Sequence, residues 1–177
     1  MDTLLIDASL LQQMLIGALL GLSVYLPLRC GQLSLATPGF YAIGGTLAAL
    51  LSTRVPALGG SEPVYPLGSV LLEMALAAAL AGGLAVGIGR LVLRLRGVYL
   101  AIATIALVEI VRVAILNLPF TGGAIGIFSI PQPFHNASGY LVVALLLLAL
   151  VGWLCQRLEA MPLGRAMAAI REDELAA

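Results

Sequence analysis

Long apolar runs broken by short clusters of Arg, Pro and Gly set the rhythm of this chain. Five stretches reach the length that a helix needs to cross a bilayer, about 20 residues. They fall at 8–28, 31–53, 67–91, 97–118 and 138–156. The pattern predicts an all-α fold, a polytopic membrane helical bundle of about five transmembrane helices with one broken or re-entrant segment. Gly17/Gly21 in the first run and Gly83/Gly87 in the third are small pairs four apart, a spacing that lets helices approach closely. Between runs lie clear breakers: Pro56, Gly59, Gly60, Pro63 and Pro66 after the second, and the basic turn RLVLRLRG after the third. Residues 117–137 form an uncharged connection with Pro119, Pro131, Pro133, Gly122, Gly123 and Gly126. Connections of that length are usually functional or ordered by packing.

The second run is irregular. Residues 30–53 carry no charge, yet Gln32, Ser34, Thr37 and Pro38 are grouped at its start beside Gly31 and Gly39. In hydrocarbon a freed backbone group costs several kcal/mol, so non-helical backbone survives only inside protein or along a wet cavity. Residues 31–38 therefore read as an interruption, with 39–53 completing the crossing; broken helices of this kind are a transporter device. A Pro-kinked span with small packing residues fits the same pattern.

Composition narrows the class. The 177 residues are 61% hydrophobic and 10% charged, with mean hydropathy +1.08, which excludes an ordinary soluble domain. Nine Arg, no Lys and nine acids balance to a net charge of zero, and no basic tail or aromatic–basic interleaving points to nucleic acid. Cys30 and Cys155 lack metal-ligand companions and read as small packing residues. The start MDTLLID is acidic where a signal peptide is basic, so the first apolar segment is expected to be retained.

Few residues carry candidate chemistry. Glu109 and Arg112 share a face of the fourth run. Left unpaired at the bilayer centre, each would cost about 2.5–3.5 kcal/mol. They read either as a structural ion pair between helices or as a polar element beside a pathway. His135 is the only histidine and has no Ser, Cys or acid placed to make it catalytic, so it reads as a loop residue. Asn136-Ala137-Ser138 matches a glycosylation sequon, a pattern too short to carry weight alone. No catalytic set, metal site or cofactor motif is expected, and no Gly-rich phosphate loop is present. That argues against an intramembrane hydrolase; a channel or scaffold fits the composition but does not predict the tail.

The tail, 157–177, changes character: three Arg and four acids, with Leu163, Ala166, Met167 and Ile170 on one helical face. It reads as a short amphipathic helix outside the membrane, and its acidic cluster favours a protein partner over lipid. Five crossings put Arg29, Arg90, Arg94, Arg96, Arg157, Arg165 and Arg171 on one side and Arg54 on the other. By the positive-inside rule the Arg-rich side is cytoplasmic, with the N-terminus outside and the tail inside. The expected organisation is a transmembrane region, 1–156, and a cytoplasmic segment, 157–177.

Three blocks, GQLSLATPGFYAIGGTLAALLS, RLRGVYLAIATIALVEIVRVAILNLPFTGGAIGI and PLGRAMAAIREDELAA, occur in this order. Together they resemble the permease subunit of branched-chain amino acid ABC importers, the LivM-like branch, over the chain from about residue 20 onward. The resemblance implies a bacterial inner-membrane importer subunit working with ABC ATPase subunits, a second permease subunit and an extracytoplasmic substrate-binding protein. It places Gly164, Arg165, Ala168, Ile170, Arg171, Glu172 and Asp173 in a cytoplasmic coupling loop that docks on the ATPase. It also places Gln32, Ser34 and Phe40 along or behind the central pathway. Glu109, Arg112, Thr121, Gly122 and Gly123 would shape the outer mouth. Ala36-Thr37-Pro38 departs from the family pattern after GQLSL, and so do Ser23 and Pro27. Family members usually continue with several more spans beyond the coupling loop. A fragment, a truncated product or completion by a second chain is therefore expected. A urea or short-chain amide importer of the same architecture shares every feature named.

Overall fold

The computed structural model describes residues 2–54, 67–134 and 137–172, and every regular element among them is a helix. The cause is the apolar sequence: backbone groups in hydrocarbon find no water, and an α-helix pairs them within one segment. In chain order these are α1 (Asp2–Arg29), α2 (Thr37–Arg54), α3 (Leu67–Val92), α4 (Val98–Asn117), α5 (Ala137–Ala160) and α6 (Pro162–Glu172). Single 3-10 turns at Pro119–Thr121 and Gly123–Ile125 follow α4. Ser9–Arg29, Leu67–Val92, Val98–Asn117 and Ser138–Ala160 are long and apolar enough to cross a membrane. The large apolar side chains of these helices stay mostly exposed, as with Leu80, Ile102 and Leu146, and among the described residues only Leu100 is fully enclosed. That is the surface of a protein whose helices face lipid or other protein, hydrophobic all round.

The expected break is present. Chain geometry is non-helical from Cys30 to Ala36, and α2 starts at Thr37. Pro38 thus belongs to the first turn of α2 rather than to the break, because a first-turn Pro sacrifices no intrahelical donor. With 18 residues, α2 extends about 27 Å.

The helices form two compact units. In the first, α1 and α5 pack along one another and α6 caps their end. Glu159, next to last in α5, accepts a hydrogen bond from the Tyr25 hydroxyl and lies 3.7 Å from Arg29 Nε at the end of α1. Both helices therefore finish at the same end and run parallel. Of the five expected crossings, the second, now α2, is not among the helices long and apolar enough to span, because Thr37, Pro38 and Arg54 lower its hydropathy.

In the second unit α2 packs on α3 and α4. The Leu35 N–H donates to Thr104 Oγ1 at 3.0 Å. One turn further along both elements, Gly39 lies so close to α4 that an added Cβ would sit 3.3 Å from Val108 Cγ2. The constant offset makes α2 and α4 parallel.

Candidate functional site

Two features bear on function, one in each unit. In the first, α5 ends at Ala160 and α6 begins at Pro162, so Met161 alone joins them. The Met161 N–H donates to Leu158 O at 3.3 Å and the Gly164 N–H to Met161 O at 3.0 Å. Gly164 is buried, and an added Cβ would overlap the Glu159 backbone. At the far end of α6, Gly31, at φ +71°, sets its bare Cα against Arg171, where a Cβ would stand 3.3 Å from Cγ and 3.4 Å from Cα. The helix is thus seated at both ends against the finish of α1 and α5.

Its other faces are open. Leu163 is 60% exposed and Ile170 40%; Arg165, Ala166 and Ala168 are exposed and Met167 is half-buried. The apolar face anticipated for the tail therefore exists and is largely uncovered. Arg29 stacks over Tyr25 at 5.9 Å and Arg157 over Trp153 at 5.4 Å, as cations at a membrane interface do. Glu172 ends α6, whereas Asp173, like His135 and Asn136, lies outside the described residues.

In the second unit a groove of about 330 Å³ opens between α2 and α4, lined by Pro38, Gly39, Ala42, Thr46, Val108, Arg112, Ile115 and Leu116. Its wall is apolar apart from Arg112 and Thr46, and the Thr46 hydroxyl donates to Ala42 O of its own helix at 2.8 Å. One edge of the Arg112 guanidinium donates twice to the Glu109 carboxylate, Nε to Oε2 at 2.9 Å and Nη2 to Oε1 at 2.6 Å. Both side chains remain more than half exposed, at 58% and 61%. The pair lies within α4 itself and does not join two helices.

Of the remaining candidates, Thr121 is buried and its hydroxyl lies 2.6 Å from Ile115 O and 2.7 Å from Leu118 O. Gly122, at φ +78°, Gly123 and Gly126 turn the chain sharply after α4, and a Cβ on Gly122 would strike Gly126 O. Together they satisfy and close the C-terminal end of α4. Arg54, last in α2, reaches Phe120 O at 3.5 Å. Phe40 is half-buried beside Gly39 but does not line the groove. Gln32 and Ser34 fall in the first unit, where the Gln32 N–H donates to Pro27 O at 3.0 Å and the Ser34 N–H to Gln32 O at 3.2 Å.

The residues that anchor these features were partly invisible in sequence. Arg29 and Glu159 close two apolar runs that end on the same side, a signal that opposite charges there could meet. Thr104 and Gly31 carry no such signal, since a mid-span Thr usually bonds its own helix.

Residues 6–177 match the family described as branched-chain amino acid transport system / permease component. Among curated proteins, the high-affinity branched-chain amino acid transport system permease protein LivM of Escherichia coli K12 is 39% identical over 203 aligned positions. That alignment covers 97% of this chain and 44% of the relative. The protein of the same description from Salmonella typhimurium LT2 is 40% identical over 189 positions, covering 89% of this chain and 41% of the relative. The chain thus spans less than half the length of these relatives. No solved structure matches it.

Proposed function

The chain belongs to the branched-chain amino acid transport system permease family, and on that footing we propose that it forms part of the membrane permease of an ABC importer. The cargo is a branched-chain, hydrophobic amino acid, and the energy comes from ATP hydrolysed by a separate ATPase subunit. In this reading the protein sits in a bacterial inner membrane, N-terminus outside and residues 157–177 in the cytoplasm, because seven of the nine Arg then lie inside. A second permease subunit completes the pathway and an extracytoplasmic substrate-binding protein delivers cargo to the outer mouth near Glu109, Arg112, Thr121, Gly122 and Gly123. Gln32, Ser34 and Phe40 line or support the route beside the break.

The observation that carries the reading is α6, a short helix seated at both ends and open on its apolar face. A helix offering exposed Leu163 and Ile170 together with Arg165 and Arg171 suits a groove on a soluble partner. Arg165, Ala168, Ile170, Arg171, Glu172 and Asp173 make the contact, and Gly164 sets the helix angle. Closure of the ATPase dimer then pushes a rigid element joined to two spans, and the spans move with it.

The test is Arg171→Glu and Gly164→Pro in the complete transporter, reconstituted with its ATPase. Both variants should insert normally, hydrolyse ATP and lose uptake. Normal uptake per ATP in both would remove the docking role of α6.

A further inference from the structure

We propose that Gly31 is the joint through which movement of α6 reaches the break between α1 and α2, with Glu159 holding the other end of α6 in place. The inference rests on the coupling reading of α6 and names the route that motion takes inside this chain. Three contacts carry it. Gly31 packs directly on the Arg171 backbone and side-chain stem. Gly164 packs on the Glu159 backbone. The Glu159 carboxylate is held by Tyr25 and Arg29 of α1.

The consequence is mechanical. Glu159 ties the finish of α5 to the finish of α1 by its side chain and seats α6 by its backbone. Displacing the start of α6 therefore drags both spans. Displacing its far end instead presses on Gly31, and Gly31 is where the chain leaves α1 for the non-helical stretch that ends at Ala36. Both residues are exposed, so the push passes through the van der Waals contact itself, which Gly31 makes with no side chain standing between the two backbones. Gly31 meets two demands at once: its φ of +71° is a conformation that suits glycine, and its missing side chain leaves room for Arg171. On this account α6 and Gly31 move as one body during the transport cycle, and the flexing falls in the non-helical residues that follow.

A cysteine pair tests this directly. A Cβ built on Gly31 stands 3.6 Å from Arg171 Cβ, inside the range of about 3.5–4.5 Å that a disulfide spans. Gly31→Cys/Arg171→Cys is made in the complete transporter with Cys30→Ser and Cys155→Ala, and oxidised with copper phenanthroline in proteoliposomes. The expected result is a link that forms in both nucleotide-free and vanadate-trapped states and leaves the variant's own uptake per ATP, as measured after reduction with dithiothreitol, unchanged. A link that never forms, forms in one state only, or stops uptake until dithiothreitol is added overturns the joint.

Because cysteine at φ +71° can prevent folding, Glu159→Leu on native Gly31 gives a second measurement. Uptake per ATP should fall about tenfold with the ATPase rate retained, the order of shift that loss of one hydrogen bond to a charged group produces. An unchanged ratio overturns the proposal. Maleimide labelling of Ala168→Cys separates this from the reading beneath it. Protection by the ATPase subunit together with a failed link refutes the joint alone, whereas equal labelling with and without the ATPase refutes the docking of α6 and the joint with it.

Discussion

Thr104→Val removes the hydroxyl that holds the start of α2 against α4. Thr104 is 2% exposed; its Oγ1 accepts from the Leu35 N–H at 3.0 Å and lies 2.9 Å from Ala101 O. Valine keeps the branched shape but leaves the Leu35 N–H without its acceptor, and because Leu35 is 40% exposed, solvent replaces part of what is lost. A buried donor left unpaired costs about 1–3 kcal/mol. Loss of the bond to Ala101 O costs little, because that carbonyl still serves its own helix. The expected destabilisation is therefore about 1 kcal/mol, at the low end of that range. Thr46→Val is the control, since the Thr46 hydroxyl bonds only within α2, to Ala42 O, and its loss should cost no more than about 0.5 kcal/mol. The assay is SDS-titrated unfolding from dodecyl maltoside micelles, paired with hydrogen exchange at Leu35. Protection of that amide should fall by about fivefold, since about 1.4 kcal/mol is a factor of ten. Equal stability of the two variants, with Leu35 exchange unchanged, would refute the claim that this bond holds the break to α4.

The Glu109–Arg112 pair predicts a non-additive result. Neutralising either partner leaves a lone charge in a span, at about 2.5–3.5 kcal/mol by insertion scales, so Glu109→Gln or Arg112→Gln should impair insertion more than the double variant does. Equal or additive losses in a glycosylation-mapping assay would argue against the pair. Gly122→Ala should destabilise the end of α4 by about 1–3 kcal/mol, because it adds strain at φ +78° and a collision with Gly126 O. Gly44→Ala, where an added Cβ meets nothing within 4 Å, should be neutral or stabilise by about 0.5–1 kcal/mol. Thermal melting of the two in micelles separates them, and equal melting points would contradict the cap geometry. Gly164→Ala should leave insertion intact while tilting α6, which site-specific spin labels at Leu163 and Ala168 would register as a changed separation from α5.

The helical class, the positions of four of the five expected spans and the existence of a break near Gly31 were legible from the chain alone. The physical reason is local: a bilayer imposes length and hydrophobicity on each span separately, and a cluster of Gln, Ser, Thr, Pro and Gly breaks a helix wherever it falls. The amphipathic tail was legible for the same reason, since Leu163, Met167 and Ile170 repeat with the helical period. Packing between helices was not legible, because it depends on which residues of distant segments meet. Gly17/Gly21 and Gly83/Gly87 have the spacing of helix contacts, yet an added Cβ at any of them meets nothing within 4 Å. The close approaches between elements fall instead at Gly31, Gly39 and Gly164, which the sequence marked as break or coupling-loop residues and not as contacts. Glu109 and Arg112 were expected to pair, but only the rotamers seen in the structure decided that they bond within α4 while Arg112 borders the groove. Tyr25, Arg29 and Glu159 are ordinary interfacial residues in sequence. Tertiary structure alone brings them to one point, since the parallel packing of α1 and α5 closes a gap of more than a hundred residues.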